Sequence, residues 1–184
     1  MRSYFFTTIF LFICLHSFGQ EKKVHFGIES SNAYNFRYVG KQQDYSLTHS
    51  SVLMSLTAGH HSFFLGPEYS YLSKPFGDDS DQIKHSIFGG TFAYVYAYEL
   101  KKLNSVDVFV RFNYSIFQQQ LTDYKGLETR KSMVYENTLD LGLKKRFANK
   151  FYIYGSVGFG STNGFFLMVD YVELSGRAGF GFTF

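Results

Sequence analysis

Three kinds of residue in this chain could carry chemistry: adjacent His-Ser pairs, a run of aspartates, and single charges set among alternating apolar residues. The pairs are His49-Ser50, His61-Ser62 and His85-Ser86. A serine nucleophile needs a histidine base and a third group that orients the base. No carboxylate falls where it would orient His49 or His85, so ordinary surface histidines and no catalytic residue are expected. His60-His61 is a poor metal clamp, because adjacent residues on a strand point to opposite faces. Asp78, Asp79 and Asp81 form an Asp-Asp-Ser-Asp run between Ser73 and Lys84. That run lacks the extended ligand spacing of a calcium loop and reads as a solvated acidic tip. No metal and no cofactor are expected.

The single charges are more informative. Glu29, Glu68, Arg111, Asp140 and Arg177 each lie on the small or polar side of a segment whose other side is apolar. The clearest segment sets Val106, Val108, Val110, Phe112, Tyr114 and Ile116 against Asp107, Phe109, Arg111, Asn113 and Ser115. That is the period of two of a strand with unlike faces. Seven more segments of this kind can be counted, one from Lys23, one ending at Ala58, and others around Phe63–Tyr71, Phe88–Tyr98, Met133–Lys144, Phe151–Phe159 and Leu174–Phe184. The connections after the second, fourth and sixth are short. Those after the first, third, fifth and seventh are expected to be longer, near Gly40–Gln43, Ser73–Lys84, Gln118–Arg130 and Ser161–Gly164. Ser30 and Asn32 break the apolar face of the first segment, which predicts a bulge or an early exit there.

Counted from the ends with short turns, the five charges fall at similar heights on strands 1, 3, 5, 6 and 8. They are expected to meet as a buried cluster of three acids and two arginines. Strands 5 and 6 are neighbours, which predicts an Arg111–Asp140 pair. Strands 8 and 1 would close the ring, which predicts Arg177–Glu29. The guanidinium fork can serve two carboxylates at once. Such a cluster reads as a structural plug, since an eight-stranded lumen is about wide enough for its own side chains.

The two ends of the chain fit the same picture. Arg2, the apolar run from Tyr4 to Leu15, and the small residues Ser17 and Gly19 have the layout of a signal peptide over residues 1–19. The barrel domain is then 20–184. Cys14, the single cysteine, lies within the signal, and Ile13 before it is too bulky for a lipoprotein box. The mature part has no disulfide to staple it. Its 17 basic and 15 acidic residues give a formal charge of +2, no basic patch of the kind that binds nucleic acid. No later stretch reaches the roughly 18 apolar residues of a transmembrane helix. At the far end Phe180, Phe182 and Phe184 alternate with Gly181 and Thr183 up to the carboxylate. Tyr69, Tyr71, Tyr98, Tyr114 and Tyr135 could form interfacial girdles in a chain without tryptophan.

The signal segment, the eight alternating strands and the terminal phenylalanine resemble the small outer-membrane β-barrels of the OmpA/OmpX type. The likeness spans residues 20–184 and is one of pattern rather than motif. The expected fold is all-β, an eight-stranded antiparallel up-and-down transmembrane β-barrel, without room after Phe184 for a peptidoglycan-binding domain. The resemblance implies an integral outer-membrane protein with a structural, adhesive or host-interacting role. Both termini would be periplasmic. The implied partners are outer-membrane lipid and lipopolysaccharide, whose phosphates Lys125, Arg130 and Lys131 could touch, and the barrel-assembly machinery, through the C-terminal strand. A monomer is expected. Three alternatives stay open: a lipid A-modifying enzyme, a narrow channel, or an inverted, lipocalin-like soluble barrel that binds a hydrophobic ligand.

Overall fold

The computed structural model describes residues 23–39, 42–73, 84–100, 103–122, 129–147, 150–162 and 171–184. The signal segment, Asp78, Asp79, Asp81 and Lys125 lie outside the described residues, as do the side chains of His85, Arg130 and Lys131. Eight strands follow one another: β1 (Val24–Val39), β2 (Gln42–Ala58), β3 (His61–Ser73), β4 (Lys84–Glu99), β5 (Val106–Thr122), β6 (Thr129–Phe147), β7 (Phe151–Thr162) and β8 (Tyr171–Thr183). Each pairs antiparallel with the next, and β1 pairs with β8 to close the barrel. The terminal residue continues that seam, since the Phe184 amide donates to the Phe26 carbonyl at 2.7 Å. Closure leaves no free strand edge, so the backbone satisfies itself without water.

The two faces separate by residue parity. Phe26, Met54, Leu65, Phe88 and Val157 stand 60–70% exposed on the outer wall. Glu29, Glu68, Arg111, Asp140 and Arg177 are buried in the lumen. An inverted barrel, apolar within and charged without, is therefore not the arrangement adopted. A charged lumen beneath an apolar outer band is what lipid on the outside demands.

Two local expectations are corrected. No bulge occurs at Ser30 or Asn32; the register of β1 and β2 shifts between Arg37 and Tyr38. The polar outer residue is satisfied across the ladder instead, as Ser50 Oγ donates to Asn32 Oδ1 at 2.7 Å, so the strand need not leave its phase. Nor is the first connection longer than the others: β1 ends at Val39 and β2 starts at Gln42. Gln42 and Gln43, expected in a loop, extend the β1–β2 ladder. At the opposite end Gly59, with φ 61°, makes the turn from β2 to β3, a conformation glycine adopts without a Cβ penalty.

Candidate functional site in the lumen

Because side chains alternate, each strand contributes every second residue to the lumen. We call its two ends the turn end, where β2–β3, β4–β5 and β6–β7 connect, and the loop end opposite. A belt of paired charges crosses the middle. Glu29 Oε1 accepts from Arg111 Nη1 at 2.5 Å and from the Tyr154 hydroxyl at 2.9 Å. Its other oxygen accepts from the Tyr152 hydroxyl at 3.0 Å. The Arg111 guanidinium lies 5.0 Å from the centre of the Phe64 ring. Its Nε donates to Asn113 Oδ1 at 2.6 Å, and Asn113 Nδ2 donates in turn to Asp140 Oδ2 at 3.2 Å. The same carboxylate oxygen accepts from Arg177 Nε at 3.3 Å, and Ser175 Oγ donates to Asp140 Oδ1 at 3.0 Å. Four of the five charges thus share one hydrogen-bonded network, with Asn113 as its hinge.

Both expected ion pairs are exchanged. Arg111 pairs with Glu29 rather than Asp140, and Arg177 with Asp140 rather than Glu29. Arg111 and Asp140 do face each other in the β5–β6 register. The lumen, however, is narrow enough for a side chain to cross it, and β1 lies opposite β5 in the ring of eight. Arg177 sits beside Ala33 in the β1–β8 register, whereas Glu29 sits beside Gly181. Four positions separate them, about 13 Å along the strand. Asp140 instead reaches Arg177 past β7, because its neighbour there is Gly158. A Cβ on Gly158 would collide with Asp140 Oδ1.

Glu68 belongs to a second network nearer the loop end. It accepts from Ser115 Oγ at 3.2 Å and lies 3.1 Å from His49 Nδ1. The other ring nitrogen, Nε2, lies 3.7 Å from Glu136 Oε2, and Asn35 Nδ2 donates to Glu136 Oε1 at 2.6 Å. His49 is therefore no surface residue: it is 1% exposed and bonded to Ser70 as well. Parity explains this, since His49 shares the inner face of β2 with Ser51 and Leu53. A serine, a histidine and two glutamates do adjoin here, drawn from three strands rather than from one His-Ser pair. Ser70 is fully buried, so a substrate has no approach to its hydroxyl in this state.

No family model and no curated protein matches the chain. Solved structures do. Neisserial surface protein A superposes with a TM-score of 0.67 at 8% identity, over 89% of this chain and 100% of that one. Ail, the attachment invasion locus protein of Yersinia pestis, in complex with the heparin analogue sucrose octasulfate, gives 0.57 at 10% identity, over 88% and 99%. The fold is that of a small eight-stranded outer-membrane β-barrel.

On the wall of this barrel, Phe180 and Phe182 are about half exposed and Phe184 more so. Phe151 packs on Phe182 with ring centres 5.0 Å apart. Tyr69, Tyr71, Tyr98 and Tyr135 also stand on the outer wall. His61 shares this wall and bonds the Tyr94 hydroxyl through Nδ1 at 2.7 Å. The residues that sequence reasoning missed are the polar linkers Asn35 and Asn113, the tyrosines that cap Glu29, and the partners of His49. All fall on the inward parity of their strands, which was the available signal. Some of their partners come from strands that are not neighbours, as Glu29 of β1 for the tyrosines of β7 and Glu136 of β6 for Asn35, which no local pattern records.

Proposed function

We propose that this chain is an integral outer-membrane protein whose barrel is a sealed scaffold and whose loop end is its interaction surface. One observation carries the reading: the lumen is crossed at mid-height by buried, mutually bonded charges under an apolar outer wall. The length of the strands supports the rest. A transmembrane strand needs about 9–11 residues, whereas β1, β2, β5 and β6 have 16, 17, 17 and 19. The excess would project beyond the bilayer at the loop end, with the short turns and both described ends of the chain in the periplasm. The two structural neighbours are by name a surface protein and an attachment protein, which suits a presented rim. In this reading the barrel is a monomer that contacts outer-membrane lipid and lipopolysaccharide. The assembly machinery would engage β8.

The test has two parts. The outer-membrane fraction should hold the protein in a form whose electrophoretic mobility in SDS shifts on boiling. The purified barrel should then give no discrete conductance steps in a planar bilayer. Recovery from the soluble fraction would defeat the membrane reading; regular conductance steps would defeat the sealed lumen.

A further inference from the structure

Below the belt the lumen is built differently. A cavity of about 550 Å³ opens at the turn end, within the range of small-molecule sites, about 300–1,000 Å³. Part of its wall is formed by Phe64, Val95, Ala97, Phe109, Tyr152 and Tyr154, and Ser55, Thr57 and Ser62 bring hydroxyls to the rest. The six apolar and aromatic residues belong to one buried cluster with Leu53 and Ala93. An apolar wall facing trapped water is unfavourable, and the lumens of such barrels are otherwise polar.

The polar groups at the two ends of this cavity share one defect. Arg111 Nη2 at the inner end and Arg146 Nε at the mouth are buried donors with no acceptor among the described residues. Both arginines line the cavity, and neither defect is met by the ion pairs present. Arg146 spends Nη2 on Glu99 and Asp107 at 2.9 and 3.1 Å. Lys144 also bridges Asp107, at 3.3 Å. With Lys23, the mouth carries three fixed cations against two carboxylates.

We propose that this vestibule binds a small aromatic carboxylate. The ring would lie among Phe64, Phe109 and Tyr154, where Phe109 and Tyr154 already meet edge to face at 5.7 Å. Its carboxylate would sit in the positive mouth, where the part-exposed Arg146 turns to offer the Nε it now keeps covered. An oxygen at the far end of the ring would reach Arg111 once a rotation of the guanidinium presents its covered Nη2. A carboxylate at the inner end is disfavoured, because Glu29 is already there. The occupant thus has its charge at one end and a neutral acceptor at the other, with a flat apolar body between. It enters from the turn side, independently of what the loop end binds.

The probe is 6-hydroxy-2-naphthoate, titrated by fluorescence anisotropy against the full barrel in lipid nanodiscs, with empty nanodiscs subtracted. Saturable binding is expected, at least tenfold tighter than for the neutral 6-hydroxy-2-naphthamide. Ala97→Phe, which fills the cavity below the belt, should abolish it. Arg146→Gln should weaken it about fivefold or more, and Val157→Ala on the outer wall should leave it unchanged. Each variant is first shown to be folded by its heat-dependent mobility. If Ala97→Phe fails that check, Thr57→Trp, which narrows the cavity from another strand, takes its place. Binding no greater than to empty nanodiscs, binding undiminished by the filling variant, or equal binding of the neutral amide would each overturn the proposal.

Discussion

The two halves of the lumen are lined by the same eight strands and yet differ in kind. From the belt up to His49 and Glu136, among the described residues, charged and amide side chains bond to one another. At the turn end the side chains are aromatic or small, the charges retreat to the rim, and a cavity remains. The difference teaches that parity alone sends a residue inward, while its volume and chemistry decide whether the space closes. Glycines mark the boundary. Gly179 and Gly181 lie against the rings of Tyr154 and Tyr152, where a Cβ would fall inside contact distance. Those tyrosines can therefore lie along the wall and reach Glu29, leaving the centre open.

The comparison breaks most sharply where charge is buried. Arg111→Ala would leave Glu29 without its cation, and removing one partner of such a pair costs about 3–5 kcal/mol. The temperature at which the unheated gel band disappears should fall markedly; an unchanged midpoint would show that the belt does not hold the barrel together. His49→Ala should act in the same direction in the loop-end network, with Glu68 and Glu136 left facing each other. In the hollow half, Val95→Ala should cost only about 1 kcal/mol, near the centre of the range for point substitutions.

Inner and outer faces can be opposed in the same way. Val157, 70% exposed on the outer wall, should resist a charge: Val157→Arg is expected to cost up to about 2–4 kcal/mol if it lies at mid-bilayer. Denaturant titration of the refolded barrel in lipid reads the loss. A variant as stable as the parent would place Val157 in water. Smaller still is the contrast between two glycines of β8. Gly181→Leu would drive a side chain into Tyr152 and should cost about 1–3 kcal/mol, as overpacking does. Gly176 has open space around it, so Gly176→Leu should stay within about 0.5 kcal/mol. Equal effects would mean that the Tyr152 ring moves aside freely.

The alternation in β5 and β8 was legible because each inner residue announces itself by its two neighbours. Arg111 between Val110 and Phe112 can face only inward if those face lipid, and the same holds for Arg177 between Gly176 and Ala178. Where the outer face carried polar residues, as at Ser30 and Asn32, the pattern suggested a bulge. A hydrogen bond from the adjacent strand made the bulge unnecessary. His49 is a related case: beside Ser50 it has the look of a surface His-Ser pair, but its parity with Ser51 turns it into the lumen.

By itself the sequence determined the number of strands, the two faces of the regular segments and the burial of Glu29, Glu68, Arg111, Asp140 and Arg177, because all three follow from a period of two read along one strand. Tertiary structure alone decided that Arg111 takes Glu29 and Arg177 takes Asp140, that Glu68 belongs with His49, and that the turn end is hollow. Those outcomes depend on which strands stand opposite one another once the ring has closed, how far each is staggered, and whether side chains of given volume can meet across the bore. A residue's neighbours in the chain carry no record of its neighbours across the lumen.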